Sequence, residues 1–134
     1  MHWHGYEWIG RGMDRANEAE RRPMSPDFLR SLLPPMRTGD WLLKPRARIG
    51  GTFDDVKEAI DWLEERYNLA RSSLLHRDRL SIEERRQNAH DSLSAGVDAV
   101  WAEWMLAGQF VSLTMVCCPN RHVKHPCPLG ARHD

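Results

Sequence analysis

All three cysteines of the chain lie within residues 117–130, which also hold two histidines and three prolines. Thiols and imidazoles crowded this closely constrain a fold strongly, because they either converge on an ion or must be held apart. Cys118, His122, His125 and Cys127 form a two-cysteine, two-histidine set with spacing C-x3-H-x2-H-x-C. Two thiolates neutralise a divalent zinc ion and two imidazoles complete its tetrahedron. The intervening prolines would lower the entropy lost when the loop closes. The spacing departs from familiar zinc fingers, where two short ligand pairs meet across a longer spacer. Several readings therefore stand together. They are a structural zinc, a catalytic metal with an open position, a reduced loop with solvated histidines, and a disulfide or redox pair. Cys118 beside His122 or His125 could also act as a thiolate–imidazolium nucleophile, although no orienting acid stands nearby in sequence.

Strand alternation separates the two adjacent cysteines. In the segment before the loop, Val111, Leu113, Met115 and Cys117 share one face, while Ser112, Thr114 and Cys118 share the other. Cys117 then reads as a small buried hydrophobe, and Cys118 points the opposite way at the end of the strand. The Cys118-Pro119 and Cys127-Pro128-Leu129-Gly130 pieces resemble the knuckle turns of zinc-binding modules, a likeness of a few residues that implies no activity.

Two capping boxes mark helices. Thr52-Phe53-Asp54-Asp55 precedes Val56, Ala59, Ile60, Leu63 and Tyr67 at helical spacing, which predicts a helix over about residues 53–68. Ser81-Ile82-Glu83-Glu84 repeats the pattern and predicts a second helix near 82–95. Ile82, Ala89 and Leu93 should share its face with the stem of Arg86, and Gly96 stands at a left-handed C-cap. Residues 97–106 and 110–118 read as a hairpin around Ala107-Gly108-Gln109. Ser25-Pro26-Asp27-Phe28 predicts a short helix stopped by Pro34-Pro35. Trp41-Leu42-Leu43 predicts a strand ended by Pro45.

The expected fold is therefore α+β, a small antiparallel sheet packed by two to four helices. The sheet would comprise the C-terminal hairpin and one further strand. At 134 residues the chain suits one domain. We expect it over 25–134, with the Cys/His loop at 117–130 and with 1–24 as an arm or short surface helix.

Composition restricts function by exclusion. The formal net charge is zero, which disfavours nucleic acid as the main partner. No run approaches the length of a membrane span, and residues 1–8 lack the form of a signal peptide. Together with clustered cysteines, this leads us to expect a cytoplasmic protein. The excess of arginine over lysine is that of a GC-rich bacterial or phage genome. His90-Asp91-Ser92 cannot form a triad, since consecutive helical residues face different ways. No phosphate-cradling glycine loop and no His-Glu-x-x-His occurs.

His2 and His4 would share a face in an extended segment and could add metal ligands, but an unordered terminus is the expectation there. Lys44, Arg46 and Arg48 beside Trp41 could hold phosphates while the ring stacks a base; ordinary surface arginines are the alternative. Trp101 and Trp104 should lie on opposite strand faces, leaving one as an anchor for a partner. The leading expectation is a small accessory or regulatory protein that binds another protein through exposed Trp3, Tyr6, Trp8 and Trp104, with its C-terminal loop braced by zinc. The alternatives are a small enzyme using the Cys/His loop and a nucleic-acid-binding protein.

Overall fold

A computed structural model describes residues 1–77 and 79–130, so the last residues of the expected 25–134 domain lie outside it. The fold is α+β, with one antiparallel sheet of four strands in the order β2-β1-β4-β3. These are β1 (His2–Arg11), β2 (Gly51–Phe53), β3 (Ala99–Trp104) and β4 (Gln109–Cys118). Two helices, α1 (Val56–Ala70) and α2 (Ile82–Ser94), occupy the two stretches read as helical, α2 where its capping box places it and α1 starting at Val56 rather than at 53. The described residues contain no helix long and apolar enough to cross a membrane.

Of residues 1–24, expected as an arm or short surface helix, His2–Arg11 form a central strand and Gly12–Ala16 and Glu18–Arg21 are 3-10 turns. β1 pairs with β4 along its whole length, from His2 opposite Cys118 to Arg11 opposite Gln109. Both faces of β1 are covered through most of that length, so its sequence does not alternate between apolar and polar. Trp3 joins the helix-side core, while His2, His4, Tyr6 and Trp8 are buried on the other side.

The two helices cover one face. Ala59, Ile60, Leu63 and Tyr67 of α1 and Ala89 and Leu93 of α2 pack on Trp101, Val111, Leu113, Met115 and Cys117. The cap of α1 is Asp55 rather than Thr52, its carboxylate accepting from the backbone N–H of Lys57 and Glu58. α2 has the expected box, with Ser81 Oγ accepting from Glu84 N and donating to the Glu84 carboxylate. The arginine on its inner face is Arg85, not Arg86. Arg85 lies under the Tyr67 and Trp101 rings and pairs with Glu103, whereas Arg86 faces out to Asp61 and Glu64.

The opposite face is covered by chain with little regular structure, residues 12–49 and 119–130. Trp41 and Leu42 pack on Tyr6, Val116 and Cys118, and Leu33 packs on Trp8 and Phe110. Trp41-Leu42-Leu43, expected as a strand, lies in a 3-10 helix, Thr38–Leu43, which lays Trp41 and Leu42 over the sheet. The helix predicted from Ser25 is reduced to turns, held by Phe28 N to Ser25 O and Ser31 N to Asp27 O. Buried Lys44 anchors that layer by donating to the carbonyls of Phe28 and Ser31.

Candidate metal centre

The register of the two central strands builds the site. Alternation puts His2 and His4 on the same face of β1 as Tyr6, and the pairing sets His2 directly across from Cys118. A slip of one residue would turn both imidazoles into the helix-side core. The C-terminal loop then returns over this corner and delivers Cys127. The ligand atoms of His2, His4, Cys118 and Cys127 all lie within 4.8 Å of one another, and the group could hold a metal ion.

The distances inside the group are close. His2 Nε2 and His4 Nε2 are 3.1 Å apart, and Cys127 Sγ lies 3.5 Å from each of them. The first three residues are buried and Cys127 is half-buried. His4 Nδ1 is 2.9 Å from Thr52 Oγ1. With Nε2 turned to an ion, the ring proton resides on Nδ1 and donates to that hydroxyl, which fixes the ring's orientation. The threonine read from sequence as a helix cap thus supports a candidate ligand instead.

Among the described residues, the buried Tyr6 hydroxyl has no hydrogen-bond partner. Burial raises its pKa well above the ordinary tyrosine value, and the nearby Cys118 and Cys127 raise it further. It therefore stays protonated. The ring stacks on Trp41 at 4.6 Å, nearly parallel.

Two anchors hold the loop. Asp98 accepts from Cys117 N, from the Asn120 side chain and from Thr38 Oγ1, fixing the point where β4 ends. Further along, His125 Nε2 lies 2.9 Å from a carboxylate oxygen of buried Asp40, which also pairs with Arg37. Val123 tucks against Gly39, where a Cβ would fall only 2.6 Å from a Val123 methyl.

The structure thus places the sequence-read ligands in two groups. Cys118 and Cys127 converge, but His122 is exposed and lies outside the group, and His125 is engaged by Asp40. The two imidazoles come from the other end of the chain. Alternating histidines in an extended, aromatic segment were the available signal for them.

Three of the four residues expected to present a contact surface do not. Trp3, Tyr6 and Trp8 are core residues, while Trp104 is 40% exposed. The proposed base-stacking platform also fails, since Trp41 is buried between Tyr6 and Arg48. Lys44 is buried, and Arg48 donates to the carbonyls of Ser31 and Leu32.

No protein-family model, curated protein or solved structure matches this chain, and the site stands on its own geometry.

Proposed function

We propose that this chain is a small accessory or regulatory protein braced by zinc, in which the ion fastens the first strand to the C-terminal loop. The spacing of His2, His4 and Cys127 carries the reading, with Cys118 within 4.8 Å of each. A tetrahedral zinc with ordinary bond lengths sets nitrogen–nitrogen edges of about 3.3 Å and nitrogen–sulfur edges of about 3.6 Å. The corresponding distances here are 3.1 Å and, twice, 3.5 Å.

Two thiolates balance the charge of the ion, which favours zinc over the harder cations that take oxygen ligands. Four protein ligands leave no open position for a substrate or reactive water, the pattern of a structural site. Burial of Cys118 likewise weighs against a thiol nucleophile, whose sulfur must be reachable. A protein partner is the counterpart that fits the surface, because Trp104, Val100 and Leu106 lie exposed along one rim of the sheet.

Metal analysis of the purified protein tests the reading. About one equivalent of zinc per chain is expected, lost together with Cys127→Ser or His4→Ala. Less than about a tenth of an equivalent, with folding unchanged by a chelator, would overturn it.

A further inference from the structure

The sheet has an open edge beside β1. β2 covers that edge only at Trp3, His4 and Gly5. Gly5 O accepts from Gly50 N on this side, so the odd-numbered residues of β1 direct their backbone groups away from β4. Beyond Gly5 these are Glu7, Ile9 and Arg11. Among the described residues, no backbone hydrogen bond reaches them from this side. The opposite edge is less open, because Leu74 and Leu75 close β3 at Trp104 and Met105.

An exposed strand edge is a template for another strand, and proteins that keep such an edge single blunt it with charged side chains, lysine above all, with proline or with a bulge. This one has neither lysine, proline nor bulge, and its two charges, Glu7 and Arg11, are opposite in sign. It presents Ile9, 49% exposed, between an acid and a base.

We infer that the partner at this edge is a second copy of the chain, paired antiparallel about Ile9. A two-fold axis through that residue sets Ile9 against its counterpart. It also sets Glu7 against Arg11 of the other copy, and Arg11 against its Glu7. All three outward-facing positions then exchange backbone hydrogen bonds. The opposed charges favour this register, and Glu7 is already held in place by Arg66 at 2.8 Å. The two sheets would continue as one of eight strands. The interface draws on none of the metal ligands, so its failure leaves the zinc reading untouched.

Sedimentation of the metal-loaded chain, joined to amide exchange, tests this. At about 100 μM the wild type should sediment at twice the mass of one chain, with slowed exchange at Glu7, Ile9 and Arg11 that is lost on dilution. Ile9→Lys should be monomeric at the same concentration, with unchanged circular dichroism and zinc content. Arg11→Glu, which opposes like charges, should weaken the dimer at least tenfold. A wild type that remains monomeric overturns the inference, as does a dimer that survives Ile9→Lys. Protection of these amides only when an unrelated extended peptide is added would replace self-pairing with capture of a foreign strand.

Discussion

Stripping the ion gives the most quantitative test of the brace. His4 and Cys127 are 123 residues apart in sequence, and His2 and Cys127 are 125. An unfolded chain can still offer zinc a local histidine pair or a local cysteine pair. It can join the two pairs only by closing a loop of nearly the whole chain, which costs about 5 kcal/mol in lost entropy. The folded chain has already met that cost through the pairing of β1 with β4. Native protein should therefore bind zinc several thousand-fold more tightly than unfolded chain, at about 1.4 kcal/mol per tenfold. Saturating zinc should then stabilise the fold by up to about 5 kcal/mol. The unfolding entropy of 134 residues is about 0.28 kcal/mol per degree, so the melting temperature should fall by up to about 18 °C on chelation. Calorimetry on protein as purified, after chelation and after zinc is restored, measures this directly. His4→Ala and Cys127→Ala should abolish most of the shift, whereas His122→Ala, at an exposed residue outside the group, should retain it. A shift below about 3 °C with the ion demonstrably removed, or its loss in His122→Ala, would refute the reasoning.

Thr52→Val removes the acceptor at His4 Nδ1 while nearly keeping its shape, and should weaken zinc affinity about 10- to 100-fold in a competition titration without unfolding the protein. His125→Ala leaves a lobe of buried Asp40 without its partner. It should cost about 1–3 kcal/mol in denaturant unfolding, and equal stability of variant and wild type would remove His125 as an anchor. Lys44 titrates at about 8 because burial, and then Arg48, disfavours its charge. The unfolded chain, with its lysine at the ordinary 10.5, binds more protons between those values, so this residue makes stability rise with pH from about 8 to 10.5. The slope of unfolding free energy against pH across that range should be less positive in Lys44→Met than in the wild type; matching slopes would rule the assignment out.

Much of the helix-side half was legible from sequence because each of its signals is local. The Ser81 box, the α1 periodicity, Gly96 with its positive φ and the hairpin all depend on residues a few positions apart. The alternation that set Cys117 inside the helix-side core and Cys118 on the opposite face is local too. β1 was misread because a strand buried on both faces lacks the period-two contrast that marks a half-buried one. The apolar run Trp41-Leu42-Leu43 suits a strand, but its character is equally served by a 3-10 turn laid over the sheet. For the metal centre, the cysteines could be found because Cys118, at the end of β4, and Cys127, in the loop that follows, are close in sequence. Their imidazole partners depend on the β1–β4 register, which no local window contains, and the nearer histidines were the natural but spatially separate choice.

The two layers on the sheet should also respond differently to loss of the ion. The helix-side core is made of two capped helices and four strands packed through a continuous apolar cluster, and no candidate ligand belongs to it. The other layer has only short 3-10 segments, with a smaller cluster around Tyr6, Trp41 and Val116. Its C-terminal loop is held by Asp98, Asp40 and the proposed ion. Regions with few apolar contacts open at lower free energy than the global transition. Amide exchange after chelation should therefore accelerate most in residues 119–130, together with His2 and His4, while the amides of α1 and of central β4 lose only what the global transition loses and remain the slowest. Restoring zinc should slow the loop again. Exchange that rises by the same factor over both layers would mean that the loop opens only together with the whole domain, with no local opening at this corner. Exchange that rises only in the helices would place the metal's influence on the wrong side of the sheet and remove the brace from this corner altogether.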